Sequence, residues 1–242
     1  MRPPAAPSCW PGDAGNVPGL SLLALPSASI ARPVLAPALG PAAPSTATED
    51  LLWSINLQPG DTGYDLRQAR QAFRAIRGLG ARAVRTDVAW GDLEPTPGAW
   101  NVDRERWYRA YLALAREEGL EPIVILYGGS RLGGFWAVKL ARERPAAFLD
   151  AYSAYARRAT AAVAGSARLF QVWNEANTPI DALPSSLDTQ VFLAGAAAVR
   201  SVKPDARVIV NLLAALTSPG WSLHLRRWLR EAGPQIDVLG LD

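Results

Sequence analysis

The sequence predicts an α/β fold in which a parallel sheet, with a helix between successive strands, curls toward a (β/α)8 barrel with about six βα units present. Three observations predict it. Short β-forming runs alternate with helical stretches from Glu49 to Asp242. Several of the runs, such as Ile123-Val124-Ile125-Leu126-Tyr127, are apolar throughout, as strands covered on both faces are. The runs then give way to polar residues and chain-breaking Gly or Pro, so reactive side chains collect where strands meet their following loops.

Composition bounds the function. The chain has 242 residues, 49% of them hydrophobic, enough for one large core. Twenty-five cations against 22 anions leave a net charge of only +3, and no dense Lys/Arg run occurs, so nucleic acid and anionic membranes are not favoured partners. A single cysteine, Cys9, excludes an internal disulfide and a cysteine metal cluster; a single histidine, His224, excludes a multi-histidine metal site. No apolar run reaches the roughly 18–20 residues of a membrane span.

Residues 1–48 are Pro-, Ala- and Ser-rich and read as a disordered leader or linker. Within them Leu20-Ser21-Leu22-Leu23-Ala24-Leu25 resembles a short signal-peptide core, but Pro26 breaks it and Arg2 lies far away. Secretion or cell-surface display and a cytoplasmic location both stay open. From residue 49 onward one domain is expected. The first strand covers Leu51 to Leu57, and a loop at Gly60–Gly63 leads to a helix from Asp65 to Gly78 with Leu66, Ala69, Phe73 and Ile76 on one face. The second strand runs Ala83–Trp90. Its loop, Gly91 to Trp100, precedes a helix capped by Asn101 or Asp103, with Trp107, Tyr111 and Leu114 on one side.

The third strand is Pro122–Tyr127, followed by a glycine-rich loop, Gly128-Gly129 to Gly133-Gly134, that carries Phe135 and Trp136. Phe148, Tyr152, Tyr155, Ala159 and Val163 then form an apolar helical stripe. The fourth strand, from Arg168, ends in Trp173-Asn174-Glu175-Ala176-Asn177. A helix over 187–202, a strand over Ala206–Leu212, a helix over 223–232 and a strand over Ile236–Asp242 complete the order. No Gly-x-Gly-x-x-Gly follows the first strand and no phosphate loop occurs, which disfavours a dinucleotide fold. Residues 49–242 fall short of the about 250 residues typical of eight units.

Glu175 is placed where such a barrel carries a catalytic acid, and partial burial at a strand end favours the protonated form of a carboxyl. Asn174 offers an uncharged donor for a sugar hydroxyl. Trp90, Trp136 and Trp173 are aromatic surfaces that stack on sugar faces or pack the core. Tyr127, Asn56 and Asn211 stand at strand ends and are candidates to line the cleft. His224, in a helical pattern between two leucines, reads as an ordinary surface histidine.

Trp173-Asn174-Glu175 after an apolar strand resembles the fourth-strand motif of clan A glycoside hydrolases, the retaining β-glycosidases, and is most similar to the β-xylosidase, iduronidase and endoglucanase-like barrels among them. Arg85-Thr86-Asp87-Val88-Ala89-Trp90 with Leu93-Glu94-Pro95, and Ile236 to Asp242, resemble the second and sixth strands. The resemblance implies Glu175 as acid/base, Asn174 as the contact to a sugar 2-hydroxyl, and Arg85 as the residue that orients a nucleophilic Glu at the end of strand seven. That strand is expected beyond residue 242, with this chain truncated after strand six; Asp92 and Glu94 match neither catalytic carboxylate. Retaining hydrolysis needs two carboxylates about 5–5.5 Å apart and no cofactor, so none is expected. The competing expectation is a non-catalytic carbohydrate-binding or inactive fragment of such a barrel. Sugar, linkage and exo versus endo cleavage stay open.

Overall fold

A computed structural model of the chain describes residues 52–128, 135–175, 183–184, 186–213 and 221–241. The expected leader over 1–48, with Cys9 and the signal-like run, lies outside them. So do Gly129, Gly133, Gly134, Asp242 and the side chain of His224.

Six strands, β1 (Ser54–Asn56), β2 (Ala83–Ala89), β3 (Glu121–Tyr127), β4 (Leu169–Val172), β5 (Arg207–Leu212) and β6 (Val238–Leu241), form one sheet in sequence order. Every neighbouring pair is parallel. Each connection is helical: α1 (Leu66–Gly78), the short α2 (Trp90–Leu93) with α3 (Val102–Glu117), α4 (Trp136–Glu143) with α5 (Pro145–Val163), α6 (Asp188–Val202) and α7 (Trp221–Ala232). Parallel pairing requires such crossovers, and the result is an incomplete (β/α)8 barrel, as the alternation predicts.

Local chemistry explains the elements. The Asp65 carboxylate accepts from the Arg67 and Gln68 backbone N–H groups at the start of α1, and Asn101 does the same for Arg104 at the start of α3. Gly80, at φ 87°, lets the chain turn back after α1. On β2 the residues alternate: Val84, Thr86 and Val88 are buried toward the helices, while Arg85, Asp87 and Ala89 are half-buried on the inner face.

Two connections differ from the sequence expectation. Trp90 begins α2 rather than ending β2, and Trp136 begins a two-turn helix where a flexible loop is expected. Glycines adjoining a short helical run obscure its period, so the segment reads as loop.

The stripe on α5 is the densest part of the core. Phe148, Tyr152, Tyr155, Ala156 and Ala159 are buried against the sheet. Burying a side chain such as Phe148 contributes roughly 1.5–3 kcal/mol. The two tyrosines keep their hydroxyls satisfied at strand ends: Tyr152 donates to the Leu126 carbonyl at 2.8 Å, and Tyr155 donates to that of Val88. Thus the helix layer is fastened to the rim of the sheet that carries the site.

Candidate active site

The site begins with a break in strand alternation at the end of β4. Gln171 points inward, where its Oε1 accepts from Arg85 Nε at 2.8 Å. Val172 points outward: a Cβ added to Gly195 on α6 would lie 2.5 Å from its Cγ1 and 3.0 Å from Tyr152 Cε1. Regular alternation would turn Trp173 inward and Asn174 outward. Trp173 instead has φ 60°, in the left-handed region, and sets its ring edge-on against Phe148 and Tyr152 of α5 and Tyr127 of β3. Its backbone N–H continues the ladder to the Leu126 carbonyl at 3.1 Å. Asn174 is thereby returned to the inner face, and Glu175, also left-handed at φ 42°, follows it.

Two consecutive polar residues therefore face one cleft, which a regular strand forbids. Left-handed non-glycine residues cost of order 1–3 kcal/mol each and persist where surrounding contacts impose them. Those contacts are visible. The Asn211 Oδ1 on β5 accepts from the Glu175 backbone N–H at 3.0 Å, and Gln171 Nε2 donates to the Trp173 carbonyl at 2.8 Å.

Arg85 gathers the rest. Its three nitrogens donate to three partners: Nε to Gln171, Nη1 to Asn56 Oδ1 at 3.2 Å and Nη2 to Asn174 Oδ1 at 2.8 Å. Gln171 Nε2 also donates to Asn174 Oδ1, at 3.2 Å. With its oxygen held by both neighbours, Asn174 keeps its NH2 as the end that can donate to a ligand. Asn56, Arg85, Tyr127, Asn174 and Glu175 line one cavity of about 260 Å³ together with Gln58, Asp87 and Ile125. The Asp87 backbone N–H is fixed by Gln58 Oε1 at 3.0 Å.

The tryptophans require correction. Trp90 is fully buried, stacked on Tyr155, with Nε1 donating to Glu94 Oε2 at 2.8 Å. Trp173 is 1% exposed and faces the helix layer. Neither ring presents a face to a sugar, because the aromatic stripe of α5 claims both. Trp136 is half-buried and packs edge-on against Trp90 and Phe135, with Nε1 donating to the Glu94 carbonyl at 2.9 Å. Asn211 is 3% exposed and acts on the backbone of Glu175 rather than lining this cavity. Glu94 is engaged through both oxygens, by Trp90 and by the Gly98 N–H.

Sequence reading overlooked Gln171 and Gln58. A glutamine inside the apolar run Leu169–Val172 is the signal that marks the first; nothing local marks the second.

Beside this cavity lies a larger one, of about 960 Å³, lined from the loops after β1 and β2, from β2 and α3, and by Gly128 and Phe135. In its wall Asp92 Oδ2 accepts from Tyr64 at 2.6 Å and from Tyr108 at 2.9 Å. Burial first, and then the Asp92 carboxylate, push the Tyr108 phenol well above its usual range, so it remains the donor. Among the described residues no cluster of three metal-binding side chains occurs, and no helix is long and apolar enough to cross a membrane.

No family model matches the chain. Solved structures similar to it include β-glycosidase BGL167, at TM-score 0.60 and 16% identity over 80% of this chain and 64% of that one. Another is the exo-β-1,4-mannosidase Op5Man5 from Opitutaceae bacterium strain TAV5, at TM-score 0.60 and 20% identity over 79% of this chain and 38% of that one. A third is GH5_18 from Streptomyces cattleya in complex with GlcNAc, at TM-score 0.54 and 19% identity over 63% and 41%. Among curated proteins, human Klotho is 34% identical over 112 residues, 43% of this chain and 10% of Klotho. The chain thus spans under two thirds of the length of each. The likenesses show the fold, and at that level the resemblance to clan A glycoside hydrolases is borne out.

Proposed function

We propose that this chain carries the acid/base half of a retaining glycosidase site acting on β-linked oligo- or polysaccharides. Glu175 protonates the departing glycosidic oxygen, and Asn174 donates to a sugar hydroxyl. Arg85 holds Asn174 in place, and the attacking carboxylate belongs to a seventh strand, as in clan A barrels. A glycosidase kind of function is supported by fold neighbours that are themselves glycoside hydrolases. The observation that carries the reading to particular residues is the reversal at Trp173: two strained residues bring Asn174 and Glu175 to one cavity, beside a guanidinium bonded to the first. Strain retained at such a point is a reason to infer function there.

A second reading, carbohydrate binding without turnover, is favoured by a different observation. Among the described residues, the acid that lines the cavity with Glu175 is Asp87 on β2, a position to which the clan assigns no nucleophile. Glycan titration together with an aryl β-glycoside assay separates the two. Turnover by a protein that includes the seventh strand, dropping at least about 100-fold in Glu175→Gln with binding retained, establishes the catalytic reading. Binding with no turnover by that same protein establishes the second. A chain that neither binds neutral β-linked glycans nor hydrolyses aryl glycosides sinks both.

A further inference from the structure

We infer that the cavity of about 960 Å³ beside the Glu175 cleft is a subsite for further neutral sugar units of the same bound chain, and that its acids turn away uronic-acid units. The inference rests on the carbohydrate reading of the first cavity and adds to it the length and charge of the substrate. The two cavities adjoin, since Gln58 and Asp87 line both, and on this inference one extended ligand occupies the two together. The smaller cavity, at about 260 Å³, is below the usual size of a small-molecule site, whereas the larger is at the upper end of that range.

The lining is matched to hydroxyl donors. Among the described residues, the lining holds three carboxylates, Asp61, Asp87 and Asp92, and one cation, Arg104. That guanidinium lies 3.8 Å from the centroid of the Tyr64 ring, so the aromatic face already engages it. Both phenols, Tyr64 and Tyr108, converge on Asp92 Oδ2, which leaves Oδ1 as the acceptor for a ligand. Carboxylates bind neutral hydroxyls through strong charge-assisted hydrogen bonds and repel a second carboxylate. The half-buried Phe135 adds aromatic surface for the apolar face of a ring. Tyr64 is itself left-handed at φ 57°, its ring fixed edge-on against Trp107. The wall is therefore organised before any ligand arrives.

Calorimetric titration of the full chain tests this. The probes are glucose, mannose and xylose, their β-1,4-linked disaccharides, and the corresponding disaccharides with one glucuronic acid unit. For the sugar that binds, the neutral disaccharide is expected to bind about tenfold tighter than the monosaccharide and the acidic disaccharide at least about tenfold weaker than the neutral one. In Asp92→Asn the neutral-to-acidic ratio falls toward one. Asp61→Asn, at an exposed position, lowers it in part and serves if the first variant does not fold. Monosaccharide binding with no gain from the second unit overturns the inference and leaves the Glu175 reading standing. So does a neutral-to-acidic ratio unmoved in both variants. Absence of binding by every probe overturns the two together.

Discussion

The inner and outer sides of the β4 terminus receive neighbouring residues and treat them in opposite ways. Outside, Val172 and Trp173 enter a wall of rings from α5, where Phe148, Tyr152 and Tyr155 are each at most 1% exposed. Inside, Asn174 and Glu175 meet Arg85, Gln171 and Asn211 through directed hydrogen bonds. The wall supplies apolar burial and stiffness; the polar side supplies geometry. The difference teaches that a tryptophan next to a candidate acid is no evidence of a sugar platform. Here it anchors the turn that aims the acid.

Breaking the outer side should cost most. Trp90 is at the centre of the wall, with ring contacts to Phe135, Trp136, Phe148, Tyr152 and Tyr155. Trp90→Ala is expected to destabilise the fold by about 3–5 kcal/mol in urea unfolding. A loss under about 1 kcal/mol would show that the wall collapses to fill the space and is not the rigid backing described.

The seam between the two sides is sharper to probe. Gly195→Ala would press a methyl to 2.5 Å from Val172 Cγ1, and a β-branched neighbour has little freedom to turn aside. Overpacking of about 1–3 kcal/mol is expected to outweigh the roughly 1 kcal/mol gained in helix propensity. Adding Val172→Ala should restore part of the loss, and a double-mutant cycle by thermal unfolding checks the coupling.

On the inner side alone, Arg85→Lys replaces a fork that reaches three partners with one ammonium that cannot span them. Stability should change by under about 2 kcal/mol, while affinity for a neutral glycan falls at least about tenfold. Unchanged affinity would reduce Arg85 to a structural brace.

Away from both regions, between α1 and α3, lies the smallest effect. Arg74 first, and Arg70 after it, hold the Glu118 carboxyl below its ordinary value of 4.5. A depressed folded pKa means that the unfolded chain takes up the proton first on acidification. The stabilisation is therefore present above the ordinary value and is lost as pH falls through the folded one. Glu118→Gln should lower stability slightly at neutral pH, where that contribution is present, flatten the acid limb of a stability-versus-pH curve below about pH 4.5, and leave glycan affinity nearly unmoved.

What the sequence determined by itself was the order of the six strands and of the long helices between them, a helix cap at Asn101 or Asp103, and the position of Glu175 at a strand end. These are short-range matters. Hydrophobic period, capping residues and chain breakers act within a few positions of one another, and all are written in the local string. The tertiary structure alone decided which way each residue of Trp173-Asn174-Glu175 faces. That direction depends on two left-handed dihedrals, held by residues 36 and 2 positions away, Asn211 and Gln171. It also decided that Trp90 and Trp173 are walls rather than platforms, because a ring is buried or bare according to what a distant helix sets against it. The cavity beside the site was likewise invisible in the string. Tyr64 and Asp92, 28 positions apart, share no local pattern, and only the packing of α3 against the sheet brings Tyr108 to the same oxygen.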